Sequence, residues 1–135
     1  MVFLDASFLI ALIHRGDENY ETAVEWMRIV EGAEVPLLTT EFCLLEVIDF
    51  LSSRGYRDLG RRLIAVLRAG ALVTITPCST ALMDQGLGLH ADRDDHTWSL
   101  TDCMSILVMQ AHGVTDALTY DHDFEEAGMR ALPLD

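Results

Sequence analysis

The sequence predicts an α/β fold: a three-layer α/β/α sandwich with a central, mostly parallel sheet, in one domain over residues 1–135. Three observations predict it. Short apolar runs bounded by polar breaks alternate with stretches of helical periodicity along the whole chain. The opening run Val2-Phe3-Leu4 is continuously apolar, as expected of a strand covered on both faces. It ends directly in a carboxylate, Asp5, and a second run, Ala117-Leu118-Thr119-Tyr120, ends the same way at Asp121. Ligands of open parallel sheets bind at the carboxyl ends of the strands, so both acids stand where chemistry is expected.

The first helix follows Asp5 at once, over Phe8 to His14, and stops at Gly16. Taken alone, Asp5 and Ser7 are best explained as caps of this helix, since both residue types satisfy free helix N–H groups. That explanation weakens only because three more carboxylates occur downstream in comparable settings. Asp17 can cap a second helix, Asn19 to Val30, whose Ala23, Trp26, Met27 and Val30 fall at helical spacing. Val35 to Thr39 reads as the second strand. Thr40 caps a third helix that runs to about Ser53 and carries Glu46. Glu46 lies at the margin of the polar arc, one turn from both Phe42 and Phe50, which predicts a partly desolvated carboxylate. Glu41 and Asp49 fit better as ordinary solvated acids.

A fourth helix, Tyr56 to Ala69, lies within a cationic stretch formed by Arg54, Arg57, Arg61, Arg62 and Arg68. A solvated helix face and a phosphate-contact surface explain that patch about equally well. Ala71 to Thr76 is the third strand, ended by Pro77. Ser79 or Thr80 caps a fifth helix weakened by Gly86 and Gly88. Asp92, Asp94 and Asp95 form an acidic turn. Ser99 and Asp102 make a capping pair that opens a largely apolar helix, Leu100 to Ala111, closed by His112 and Gly113. The helix dipole alone favours an aspartate in its first turn, but burial of that helix would make Asp102 a fixed, oriented carboxylate. A short helix from Asp123 to Ala127 and a last strand, Met129 to Leu132, finish the chain.

Composition narrows the function. Half the residues are hydrophobic and 23% are charged, which places the chain among globular rather than disordered proteins. No apolar run approaches the ~20 residues that a membrane span needs, and no basic leader precedes the first strand. Cys43, Cys78 and Cys103 are odd in number and unpaired in spacing, which fits a reducing cytoplasm and three small core residues. The net charge is −13, from nine arginines, no lysine and 22 acids. Affinity for nucleic acid is dominated by phosphate neutralisation, so a basic, duplex-coating protein is excluded. An acidic chain can still act on nucleic acid where divalent cations and a local arginine patch supply the positive charge.

In a parallel sheet the strand ends and the helix starts after them share one edge. Asp5, Asp102 and Asp121 can meet there, with Glu46 reaching in. Such acids do not all ionise side by side without cations, and their hard oxygens select Mg2+ or Mn2+. A carboxylate-held metal that activates water is the usual machinery of phosphodiester hydrolysis.

The chain resembles the PIN-domain ribonucleases, particularly the toxin half of VapBC-type toxin–antitoxin pairs. The resemblance rests on Phe3-Leu4-Asp5-Ala6-Ser7, on the helical Glu46, on Trp98-Ser99-Leu100-Thr101-Asp102-Cys103, and on Ala117 to Phe124. It implies a Rossmann-like sandwich with Asp5, Glu46, Asp102 and Asp121 as metal-binding acids. Asp123 becomes a candidate fifth ligand, and Ser7 and Thr119 match small polar positions that support the acids. It also implies an RNA substrate, single-stranded or structured, for which the arginine patch, through Arg54, Arg57 and Arg61, is the candidate contact surface. The implied partners are a small antitoxin with a basic tail and a second copy of the chain. Two other readings compete: a catalytically silent PIN-like binding or assembly module, and an aspartyl-phosphate phosphohydrolase. The first predicts a lost acid, and none is lost. The second opens with a D-x-D pair, whereas residue 7 here is Ser. No histidine presents itself as catalytic; His122, between two acids, is expected to turn outward.

Overall fold

Apolar side chains at the sheet centre are buried on both sides of the strands, which is what brings the helices onto both faces. In the computed structural model, which describes residues 1–133, Phe3 and Leu4 point to opposite faces of their strand and neither has any exposed surface. The strands are β1 (Val2–Leu4), β2 (Leu37–Thr40), β3 (Val73–Thr76), β4 (Asp116–Leu118) and β5 (Arg130–Leu132). They form one sheet in the order β3-β2-β1-β4-β5, and every pairing is parallel. The helices are α1 (Ala6–Ile13), α2 (Tyr20–Gly32), α3 (Glu41–Ser52), α4 (Arg57–Ala69), α5 (Thr80–Asp92), α6 (Leu100–Ala111) and the short α7 (Asp123–Glu126).

The strand order fixes where a site can form. From β1 the chain moves outward on one side to β2 and β3, then returns to the other side of β1 for β4 and β5. The reversal opens a crevice between the carboxyl ends of β1 and β4, the usual ligand position in such sheets. Phe8 and Leu9 from α1, Val47 and Leu51 from α3, Ile106 and Met109 from α6, and Phe124 from α7 are buried in the core around it. Edge strand β3 is different: Thr74 is exposed and its neighbours are only half-buried.

Every expected element is present, with ends shifted by up to two residues. Two such shifts fall at functional positions: α1 begins at Ala6 rather than Phe8 and so takes Ser7 into its first turn, and β4 ends at Leu118 rather than Tyr120, so Thr119 and Tyr120 stand between the strand and Asp121. Asp5 occupies the N-cap position but makes no side-chain cap bond. Asp17 does not cap α2 either; its Oδ1 accepts the Asn19 N–H at 2.8 Å and shapes the turn before the helix. Cys43 and Cys103 are core residues as expected, but Cys78 is exposed. Pro77 ends β3 there, and the Cys78 N–H is drawn to Glu41 Oε1 at 2.7 Å, which holds the residue on the surface. No helix among the described residues is long and apolar enough to cross a membrane.

Gly86, which weakens α5 as a helix, has a packing reason. A Cβ at this position would lie 2.6 Å from Met104 Cγ and 3.2 Å from Leu100 Cδ1, so α6 approaches α5 as closely as it does because the side chain is absent. Gly88, two residues on, has nothing within 4 Å of the same point. The two glycines therefore respond oppositely to alanine. Gly86→Ala is expected to destabilise the protein by about 1–3 kcal/mol through overpacking. Gly88→Ala is expected to stabilise it by about 0.5–1 kcal/mol through helix propensity. Urea unfolding of the two variants checks both; equal effects would show that Gly86 is tolerated rather than required.

Candidate metal centre

The centre is built outward from Asp5. Its amide donates to Leu118 O at 3.1 Å, which ties the end of β1 to the end of β4. Next to it, Thr39 Oγ1 donates to Leu4 O at 2.8 Å, so the strand's last carbonyl is satisfied from β2. The side chain is 5% exposed, and two hydroxyls hold it. Ser7 Oγ donates to Asp5 Oδ2 at 2.7 Å, and Thr119 Oγ1 donates to the same oxygen at 2.8 Å. Each hydroxyl also accepts a backbone amide: Tyr120 N–H on Ser7 Oγ and Asp121 N–H on Thr119 Oγ1, both at 3.0 Å. A hydroxyl has one proton to donate, so these contacts orient both hydroxyls toward Asp5. The two small polar residues bind the first acid to the segment that carries the last two.

Asp121 and Asp123 follow in that segment. Asp121 Oδ1 accepts the Asp123 N–H at 2.9 Å, which begins α7. Asp102 enters from α6. It accepts the Ser99 N–H at 3.1 Å while Ser99 Oγ accepts the Asp102 N–H at 3.0 Å, so the expected capping pair is a full capping box. The capping role and the site role coexist: the box fixes the rotamer of a carboxylate that is only 9% exposed. One carboxylate oxygen from each of Asp102, Asp121 and Asp123 lies within 4.8 Å of the others. This is an all-oxygen donor set of a kind that suits Mg2+ or Mn2+.

Crowding sets the electrostatics. Burial first, and then repulsion from Asp5 and Asp121, pushes Asp102 up to about 7, against hydrogen bonds from Ser99. Burial raises Asp5 as well, with the bonds from Ser7 and Thr119 opposing and Asp121 adding repulsion. Asp123 is raised by its burial, by repulsion from Asp121 and Glu126 and by sharing a hydrogen bond with Asp121, while His96 pulls the other way. Glu46 is exposed as a residue, yet its carboxyl group is partly desolvated, as expected. Its carboxyl end still belongs to the crowd: local desolvation and then Asp5 raise its pKa, and a hydrogen bond with Thr101 opposes them. Thr101 was not among the expected site residues, although it directly precedes Asp102.

The arginine patch divides. Arg54 stacks its guanidinium 3.6 Å from the Phe50 ring centroid, one helical turn beyond Glu46 on α3. Arg57 is exposed. Arg61 and Arg62 face Asp58 at 3.7 and 2.5 Å, and Arg68 faces Glu41 at 3.8 Å, so much of their charge is met locally. His122 turns outward, as expected, with 81% of its side chain exposed. His96 does not simply flank a solvated acidic turn. Its side chain is 17% exposed, and it bonds Glu126.

A family model described as "PIN domain" matches residues 2–129. The chain is 29% identical over 129 residues to a protein of Mycobacterium tuberculosis named 23S rRNA-specific endonuclease VapC20, in strains CDC 1551 and H37Rv, covering 95% of each chain. A crystal structure of M. tuberculosis VapC20, titled a sarcin–ricin loop cleaving toxin, superposes with a TM-score of 0.83. It is 25% identical, with 96% of both chains covered.

The crowded acids reverse the usual pH dependence of stability. Unfolded, Asp102 titrates near its ordinary 3.8; folded, near 7. Between those values the folded state binds more protons, so the stability of metal-free protein falls as pH rises through this window. The thermal midpoint in EDTA is therefore expected to be higher near pH 5 than near pH 8. Asp102→Asn, which can keep the cap bond, should raise the pH 8 midpoint by roughly 3 °C, about 1 kcal/mol. It should also flatten the slope. A midpoint that climbs toward pH 8 contradicts this electrostatic account.

Proposed function

The chain belongs to the PIN-domain family, and from that premise we propose that it is a metal-dependent endoribonuclease, the toxin of a toxin–antitoxin pair acting as one domain in the cytoplasm. The observation that carries the reading is the convergence of Asp102, Asp121 and Asp123, with Asp5 and Glu46 beside them, at the β1/β4 crevice. Asp5, Asp102, Asp121 and Asp123 would hold Mg2+ or Mn2+. Bound there, the ion supplies charge neutralisation for a phosphodiester and a water of lowered pKa.

The chain's own groups do the rest. Ser7 and Thr119 keep Asp5 in one orientation, and the capping box keeps Asp102 in another. Glu46, its carboxyl group raised by desolvation and by Asp5, is suited to acid–base work beside the metal-holding acids. Arg54 and Arg57 offer exposed positive charge for the RNA backbone, and Arg61 offers a partly neutralised one. The similarity to an rRNA-specific endonuclease makes structured ribosomal RNA the first substrate to test.

The partners of this reading are a small antitoxin with a basic tail and a second copy of the chain. A net charge of −13 favours fast, salt-sensitive capture of such a tail. Exposed Leu45, Val66, Leu72, Met83 and Leu87 offer apolar surface for contacts with partners. The aspartyl-phosphate alternative is disfavoured because Ser7 stands where a second aspartate would act, with its hydroxyl committed to Asp5.

Purified protein should cleave RNA with Mg2+ or Mn2+ and stop in EDTA. Asp102→Asn should lower the rate by about 100-fold or more while the protein stays folded. Glu41→Gln, whose amide oxygen can still accept the Cys78 N–H, should stay within about twofold. Cleavage that survives EDTA, or equal effects of the two substitutions, would place the chemistry elsewhere.

A further inference from the structure

The acids of the crevice come from two different supports. Asp102 stands on α6, fixed by its capping box with Ser99. Asp123 stands at the start of α7, a helix of four residues whose buried anchor is Phe124. A short helix pinned at one residue can still pivot, and pivoting would carry Asp123 toward or away from Asp102.

A second tie restrains that pivot. Glu126, three residues after Asp123 at the other end of α7, receives His96 at 2.7 Å between Oε2 and Nδ1. His96 lies in the loop that leads into α6, and its ring stacks on Trp98 with centroids 4.3 Å apart and planes 4° from parallel. Trp98 is 6% exposed and directly precedes Ser99. The other ring nitrogen, Nε2, meets Arg93 Nη2. A carboxylate only accepts, so Nδ1 carries the proton and donates to Glu126. Arg93 in turn lies 5.1 Å from the Trp98 ring and pairs with Asp95 at 3.3 Å. Surface pairs between long side chains contribute little, but this one joins a 17% exposed imidazole, held flat against a buried indole, to a carboxylate. The physical path is continuous: Asp102 and Ser99, Trp98, His96, Glu126, α7, Asp123.

We propose that the His96–Glu126 hydrogen bond, braced by the stack on Trp98, is a positioning device that sets Asp123 against Asp102 across the crevice. Neither residue touches the reacting groups. Both act through α7, and the inference rests on the metal-centre reading above. Partners that orient metal ligands from behind typically change metal affinity by about 10–100-fold when removed. A carboxylate near the crevice could also matter through charge alone, and the two roles separate chemically. Gln at 126 keeps an acceptor for the His96 N–H and loses the charge; Ala loses both.

The test measures Mn2+ affinity by electron paramagnetic resonance of free Mn2+, with the thermal midpoint of each variant recorded alongside. Glu126→Ala and His96→Ala should each weaken Mn2+ binding by about tenfold. Glu126→Gln should stay within about threefold of the unsubstituted protein. The double variant H96A/E126A should be no weaker than either single one, because the two share one interaction. Asp102→Asn serves as the reference for a lost ligand. Affinity unmoved by Glu126→Ala while Asp102→Asn abolishes binding overturns the positioning role and leaves the metal centre standing. Glu126→Gln as damaging as Glu126→Ala reduces the effect to charge and overturns it too. A lowered midpoint with unchanged Mn2+ affinity assigns the pair to folding alone. Mn2+ binding indifferent to Asp102→Asn overturns both readings together, since the ion is then bound elsewhere.

Discussion

A carboxylate buried between two parallel strands is the constraint on which this fold turns. Asp5 cannot leave its place without undoing the sheet edge, because its amide is bonded to Leu118 and the preceding carbonyl to Thr39. Burial penalises its charge, and among the described residues the side-chain donors offered to Oδ2 are the hydroxyls of Ser7 and Thr119. Those hydroxyls take their own acceptor bonds from the amides of Tyr120 and Asp121. The position of the last acidic segment thus follows from the way the first acid is satisfied. An unsatisfied buried group costs about 1–3 kcal/mol, so the set holds together or fails together.

The same arrangement stores repulsion. Asp102, Asp121 and Asp123 converge within 4.8 Å, and Asp5 and Glu46 interact electrostatically with them. Burial first, and then repulsion from Asp5 and Asp121, pushes Asp102 up to about 7. In the proposed function such a site would exchange a proton near neutrality for a metal, or for the guanidinium of a partner. The acidity of the whole chain strengthens that tendency, since there is no lysine and several arginines are already met by Asp58 and Glu41.

Much of this was legible in the sequence, for definite reasons. Val2-Phe3-Leu4 reads as a buried strand because its apolar run is unbroken, and Asp5 stands out from a mere cap only because three more carboxylates follow in comparable settings. Asp102 reads as a cap, and is one; that the cap is also a site acid needed the burial of α6. The order β3-β2-β1-β4-β5 was not legible, since alternation of elements does not say which side of β1 the chain returns to. Helical spacing puts Glu46 at the margin of the polar arc, and the folded chain agrees: the residue is exposed while its carboxyl group is partly desolvated. The pairing of His96 with Glu126 spans 30 residues and has no local pattern, so only the folded chain displays it.

The central claim is that Asp102 holds a proton near neutral pH which a bound metal would displace. Calorimetry of Mn2+ binding in buffers of different ionisation enthalpy measures that exchange directly. Near pH 6.5 about one proton should be released for each ion bound, falling toward zero near pH 8.5 as Asp102 ionises unaided. Binding that releases no protons at either pH would contradict the account, because the carboxylates would then be ionised before the metal arrives.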